Sequence, residues 1–287
     1  MQEKGRIKWL FVGPGIFWVL AFTIFPLLYS LVLSFLRKRL GQPASFNFPE
    51  NFVRAFGDYR FWDTLKVTLL FVVASVVLTV TIGLLLALLF NREIRGRRVF
   101  RSLFTMPLFT APIALGYLGL TIFHEDVGAV NTILRALGMV NLPRWFSDIW
   151  LARLAIIIVD VWQWTPFCFL VLLAGLQSLP REVYEATALD TSSGWDVFRY
   201  VTLPLLRPVL FTVVMLRLVE AFKILDIPFS MTSGGPGAAT QTYSFYIYLT
   251  GLRSFNFGYA SALAYILLVV MMVISMFFFN RLREIYE

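Results

Sequence analysis

Charge is scarce in this chain: Asp, Glu, Lys and Arg make up only 15% of its 287 residues, against about 25% in ordinary soluble domains. Cysteine is nearly absent. With Cys168 alone, no internal disulfide can form and no thiolate metal cluster can be assembled. His124 is equally solitary and reads as a membrane-boundary residue rather than a metal ligand. No G-x-x-x-x-G-K-[ST] run is present, and the chain therefore cannot cradle nucleotide phosphates itself. Nor is there a Ser/His/Asp arrangement with a plausible site, an internal repeat, a low-complexity tract or an interdomain linker. These absences speak against a hydrolase, a metalloenzyme and a multidomain soluble protein.

What is there is apolar. Hydrophobic residues reach 59% and aromatics 17%. Four runs, Trp9–Leu36, Val67–Phe90, Ser102–Phe123 and Ser254–Asn280, contain no Asp, Glu, Lys or Arg, and each exceeds the roughly 20 residues a helix needs to cross hydrocarbon. Two further stretches, Leu154–Leu179 and Leu205–Met231, are long enough but carry charges. The expectation is an all-α polytopic membrane protein of six transmembrane helices, near 9–36, 65–90, 102–123, 152–179, 205–231 and 256–280. It forms a single membrane domain over 1–287. Although Lys4, Arg6 and Lys8 precede the first run, its length and the lack of a small-residue cleavage site predict an anchor rather than a signal peptide.

The net charge of +8 would point to nucleic acid in a soluble protein, but here the basic residues flank apolar runs, where they orient spans. Arg92, Arg95, Arg97, Arg98 and Arg101 fall on the same side as both termini, and the positive-inside rule makes that side cytoplasmic. Arg37, Lys38 and Arg39 count against this arrangement, which places them outside. The loops 41–63 and 125–149 are too short for an independent domain, and Asn131–Leu142 reads as a small interfacial helix.

Charges inside spans narrow the reading. Arg217, Glu220, Lys223 and Asp226 lie three residues apart, so Arg217–Glu220 and Lys223–Asp226 can neutralise each other locally. Mid-span charges must face the bundle interior or a watery cavity. Asp160 is a further buried charge, followed by Trp162, Gln163, Trp164 and Phe167. A purely structural ion pair competes with a solute-contacting one. Pro107, Pro112, Gly116 and Gly119 interrupt the third span, and Pro166 the fourth. Such breaks survive in lipid only where neighbours or a cavity satisfy the freed backbone.

Between two apolar segments lies one long polar run, 180–208. Its apolar residues recur at helical spacing, as in short amphipathic helices. Pro180 suits a helix start, and Ser193 with Asp196 resembles a capping box after a break at Thr191–Ser192. The segment EATALDTSSGWDVFRYVTLP resembles the EAA loop of ATP-binding-cassette importer permeases: Glu185, Ala186, Leu203 and Pro204 match in register, and Val201 replaces Ile. Thr187 stands for the second Ala and Thr191 for the family Gly, which leaves the turn geometry open. DVWQWTPF at 160–167, AGLQSLP at 174–180, FRYVTLPLLRP at 198–208 and TSGGPGAAT at 232–240 extend the resemblance to nearly the whole chain and to the maltose-type carbohydrate permeases.

The resemblance implies a type I importer permease fold and a bacterial or archaeal plasma-membrane location with both termini cytoplasmic. It implies no cofactor on this chain, with ATP and Mg2+ on two cytoplasmic ATP-binding subunits. Other implied partners are a second permease, an extracellular solute-binding protein and a carbohydrate, with no nucleic acid. ATPase coupling falls to the loop 180–204 through Glu185, Ala186, Asp190, Trp195, Phe198, Leu203 and Pro204. Carried over by position, the solute pathway is Gln163, Trp164, Phe167, Arg217, Glu220, Ala221 and Ile224. An autonomous secondary transporter or channel, coupled to ions through Arg217 and Glu220, is the alternative from another class. A membrane enzyme is a third, unsupported by any catalytic constellation.

Overall fold

The computed structural model describes residues 2–92, 96–191 and 193–286, with side chains from residue 11 onward apart from those of 97, 188, 190, 285 and 286. It is helical nearly throughout, with one two-residue antiparallel strand pair, β1 (Leu36–Arg37) with β2 (Ser45–Phe46). Five helices among the described residues are long and apolar enough to cross a membrane, and a bent pair makes up to six. The polytopic all-α expectation therefore holds. By contacts the chain divides into two compact units, residues 1–62 with 246–270 and residues 63–245 with 271–287.

In the first unit, α1 (Gln2–Val19) passes through a π-helical turn (Leu20–Ile24) into α2 (Phe25–Ser34). The side chains of Phe11, Trp18, Phe22 and Phe25 are all exposed, an apolar surface suited to hydrocarbon. The last carbonyls of a helix lack internal partners. Here Nδ2 of the buried Asn51, on α3 (Glu50–Gly57), donates to Ser34 O at 2.9 Å and Leu36 O at 3.0 Å. The backbone of 38–40 is then tied to 255–258 by Leu40 N to Phe255 O and Gly258 N to Lys38 O, both 3.1 Å. Position 258 must be glycine, because a Cβ there would lie 2.0 Å from Leu36 O. Tyr246 and Tyr259 donate their hydroxyls to Asp58 Oδ2 at 2.5 and 2.9 Å. Burial works against the Asp58 charge, but those hydroxyls and the Arg60 amide outweigh it and hold the carboxyl below its usual range.

In the second unit, α8 (Ile149–Gln177) is the core helix, with Ala152, Ala155, Ile156 and Leu172 fully buried. Asp148 caps it, accepting from Trp150 N and Leu151 N at 2.9 Å. Two apolar clusters form along α8, one from Ala155 to Val159 and one from Cys168 to Leu176. Both also take residues from α4 (Tyr59–Phe90), respectively Phe71 and Ala87. The small helix expected at 131–142 is α7 (Ala129–Ala136). Its buried Asn131 accepts from Trp145 Nε1 at 2.9 Å and donates to Glu125 O at 2.7 Å.

Two spans depart from expectation. The third is broken rather than kinked: α5 (Arg97–Thr105) and a 3₁₀ turn (Met106–Phe109) end at an extended Thr110, and α6 (Pro112–Ile122) leaves at 103°. Pro112 begins the new helix, where its missing N–H costs nothing. Gly116 and Gly119 let α12 (Asp226–Thr232) approach closely, since a Cβ at 116 would meet Ser230 Oγ at 1.7 Å. The fifth span, expected to run to 231, stops early. α11 (Leu203–Phe222) ends at Phe222, and the chain turns at Lys223 before α12. The freed carbonyls of Phe222 and Ile224 accept from the hydroxyls of Ser244 at 3.2 Å and Thr242 at 2.7 Å, which is how a break inside a membrane protein becomes tolerable.

Candidate functional site

Between the two apolar clusters of the second unit runs a polar seam. Arg217 of α11, Asp160 of α8 and Ser75 of α4 are 1%, 3% and 2% exposed, and they meet there. Arg217 Nη2 donates to Asp160 Oδ2 and, at 2.5 Å, to Ser75 Oγ; Ser75 in turn donates to Asp160 Oδ2. The guanidinium also lies over the Trp164 ring, 5.0 Å from its centroid. The local pairing of Arg217 with Glu220 is therefore replaced by one across 57 residues of sequence. Glu220 instead pairs with Lys223 at 2.7 Å, both partly exposed. The reason is solvation: a buried guanidinium needs a buried carboxylate, whereas Glu220 reaches open space where water serves it.

That space is a cavity of about 240 Å³. Four of the seven expected pathway residues, Gln163, Trp164, Glu220 and Ile224, line it, together with Asp160, Lys223, Asp226 and Pro112. The other three do not. Arg217 is enclosed in the seam, Ala221 is buried, and Phe167 packs edge-on against Trp164 at 6.1 Å beside the second apolar cluster. Gln163 Oε1 and Arg217 Nε and Nη1 are buried without partners among the described residues, while Gln163 Nε2 donates weakly to Thr110 O at 3.4 Å. The wall thus combines an aromatic face with hydrogen-bonding groups of both kinds. Ser75 escaped the sequence reading because a lone serine inside a charge-free run carries no signal.

The polar run 180–204 forms a helical hairpin. α9 (Arg181–Asp190) follows Pro180, and α10 (Gly194–Val197) is capped by Ser193 Oγ, which accepts from Asp196 N at 3.3 Å. Thr191 carries φ −149°, an extended backbone open to any residue, so the family glycine is not needed. Its Oγ1 accepts from Ser193 N at 3.1 Å and builds the turn. Beyond α10 the helix does not end: through a π turn (Phe198–Thr202) it continues into α11, making one helical stretch from Gly194 to Phe222. Pro204 sits at the start of α11, where its missing N–H falls beside that π turn. Tyr184 Oη donates to Thr202 Oγ1 at 3.1 Å and closes the hairpin.

The hairpin's apolar side chains face outward. Trp195 is 65% exposed and Leu189 90%, with Phe198 half-buried beside Trp195 at a ring distance of 5.6 Å. Glu185 and Ala186 are also exposed, while Leu203 and Pro204 are half-buried. The side chain of Asp190 lies outside the described ones. Large exposed apolar residues on an otherwise polar segment mark a docking surface.

Comparison with known proteins bears on the family and the fold. Residues 79–285 match the family described as "Binding-protein-dependent transport system inner membrane component". The lactose transport system permease protein LacF of Rhizobium radiobacter is 34% identical over 281 residues, 96% of this chain and 94% of its own. The trehalose/maltose transport system permease protein MalF of Thermococcus litoralis is 34% identical over 275 residues, 95% and 92% of the two chains. A chain in the crystal structure of a bacterial alginate ABC transporter, in complex with an alginate pentasaccharide-bound periplasmic protein, superposes with a TM-score of 0.86. It covers 99% of this chain and 96% of that one at 22% identity.

Proposed function

Because this chain belongs to the binding-protein-dependent transport inner membrane components, the non-catalytic permeases of ABC importers, we propose that it forms the passage of a carbohydrate importer. Two cytoplasmic ATP-binding subunits, which hold ATP and Mg2+, drive that passage through the 180–204 hairpin. The observation that carries this reading is the outward-facing apolar pair Leu189 and Trp195 on a hairpin continuous with the fifth span. Aromatic anchors of this kind dominate protein–protein contacts. Trp195 and Phe198 are the anchors here, and Glu185 meets a basic residue of the ATPase. Movement of the hairpin tilts α11 and with it Glu220 on the cavity wall.

The solute class follows from relatives described as lactose and trehalose/maltose permeases and from the chemistry of the cavity wall. Trp164 offers a flat face for a sugar ring, and Gln163, Asp160 and Glu220 offer hydrogen-bonding groups. Both chain termini lie on the cytoplasmic side, residues 1–287 act as one permease domain, and a second, similar permease completes the pathway. A soluble solute-binding protein delivers the sugar from the other face.

The test is reconstitution. In liposomes holding this chain, its partner permease and the ATP-binding subunits, uptake of the sugar retained by the binding protein is expected only with ATP inside. Trp195→Ala is expected to uncouple hydrolysis from uptake. Accumulation by this chain alone under an ion gradient would sink the reading in favour of a secondary transporter.

A further inference from the structure

The basic run 37–39 is the one feature that runs against the orientation of the chain, and the structure gives it a use. Arg37 and Arg39, just past the end of α2, converge with Arg54 of α3 on a cavity of about 380 Å³ that also takes Asn47, Asn256 and a single carboxylate, Glu50. No carboxylate pairs with Arg37 or Arg39 among the described residues. Arg54 lies over Tyr259, 4.3 Å from the ring centroid, which braces the guanidinium where it lines the cavity. Buried Asn51 and the backbone ties at 38–40 and 255–258 hold the walls rigid.

Depth identifies the occupant. Arg37 follows the last residue of the first span, Ser34, by three positions, and Asn256 precedes the sixth by one. A helical turn is about 5 Å, so the cavity lies at the level of lipid headgroups. Around it Leu40, Phe46, Phe48, Val53 and Phe56 are exposed, the apolar and aromatic rim that belongs at a membrane interface. Guanidinium forks match phosphate oxygens two at a time.

We propose that this cavity binds the phosphodiester headgroup of an anionic phospholipid, with Arg37 and Arg39 on the phosphate, Arg54 as a third, ring-braced donor and Asn256 on the glycerol hydroxyls. An acidic side chain of a soluble partner would satisfy the arginines but leave the apolar rim uncovered, whereas a lipid covers both. The inference is independent of the solute that the permease carries.

The experiment uses native mass spectrometry of the assembled transporter, titrated with phosphatidylglycerol, phosphatidylcholine or inorganic phosphate. One cationic residue near a membrane surface contributes about 1 kcal/mol toward anionic lipid, or about fivefold. The Arg37→Gln/Arg39→Gln double variant is therefore expected to retain phosphatidylglycerol about 25-fold less well, with phosphatidylcholine retention unchanged. Glu50→Gln, which removes the repelling charge, is expected to tighten it several-fold, and this variant tests the proposal even if the double variant fails to fold. Arg39→Lys, which keeps the charge but loses the fork, is expected to fall between wild type and the double variant. Three outcomes overturn the proposal: unchanged phosphatidylglycerol retention in either Glu50→Gln or a folded double variant, displacement of the lipid by equimolar inorganic phosphate, or loss of solute-binding-protein docking in the double variant with lipid retention intact.

Discussion

The seam at Asp160 and the hairpin at 181–200 invert the usual distribution in opposite senses. One holds ions where apolar side chains are expected, and the other presents tryptophan and leucine where ions are expected. The seam is nearly self-sufficient, because Arg217, Asp160 and Ser75 bind one another across three helices and are almost wholly buried. The hairpin is not, because Leu189 and Trp195 stand 90% and 65% exposed. The contrast separates two meanings of an out-of-place residue: enclosed and paired, it fixes a packing; open and unpaired, it awaits a partner.

The sharpest way to break this contrast is at Asp160. Asp160→Ala leaves the Arg217 charge enclosed without a counter-ion and is expected to cost about 3–5 kcal/mol, read as a lowered melting temperature of the purified transporter. The double variant Asp160→Leu/Arg217→Met is expected to recover most of that loss, since an apolar replacement of a buried pair is often neutral. If the double variant is as unstable as the single one, the seam contributes more than mutual neutralisation.

Trp195→Ala probes the other side of the contrast. Stability is expected to stay within about 0.5 kcal/mol, as for exposed positions generally, while affinity for the ATP-binding subunit falls by about 2 kcal/mol or roughly 30-fold. Calorimetry and binding measured on the same preparation separate the two readouts. A melting temperature that falls along with affinity would show that the ring is packed within this chain.

Thr191→Gly is a smaller change. With φ at −149° the threonine is unstrained, so the family glycine relieves nothing and is expected to cost about 1 kcal/mol through chain entropy and the lost Thr191 Oγ1 acceptor for Ser193 N. A stabilised variant in a melting assay would mean that the turn is strained after all.

Asp58 lies between the two extremes, part-buried and held by two tyrosines. Its folded pKa is depressed, so its contribution is present above the ordinary Asp value of about 4 and is lost as pH falls through the lower folded value. Asp58→Asn is expected to remove that acid-limb dependence from a melting-versus-pH series and to lower the neutral-pH plateau by the contribution lost. The phenol of Tyr246, pushed up to about 12 first by burial and then by Asp58, stays protonated and donating throughout that range.

Much of the fold was legible because membrane spans are written in composition. A run such as Val67–Phe90 needs no tertiary knowledge to be read. The hairpin was legible too, since Ser193 and Asp196 announce their cap locally. What escaped was set by distant groups. The fifth span stays apolar past Phe222, and its break is satisfied by the hydroxyls of Thr242 and Ser244, 18 and 22 residues downstream of the carbonyls they serve. Likewise spacing offers Arg217 the nearest carboxylate, Glu220, and only packing shows that Asp160 occupies the enclosed position.

The unbroken stretch from Gly194 to Phe222 has a mechanical consequence. Its 29 residues at 1.5 Å each make a rod of about 43 Å, so a swing of about 10° at the tryptophan end displaces the far end by roughly 7 Å. The π turn beside Pro204 and the missing amide of Pro208 interrupt that rod as compliant points, so bending concentrates there rather than along the span.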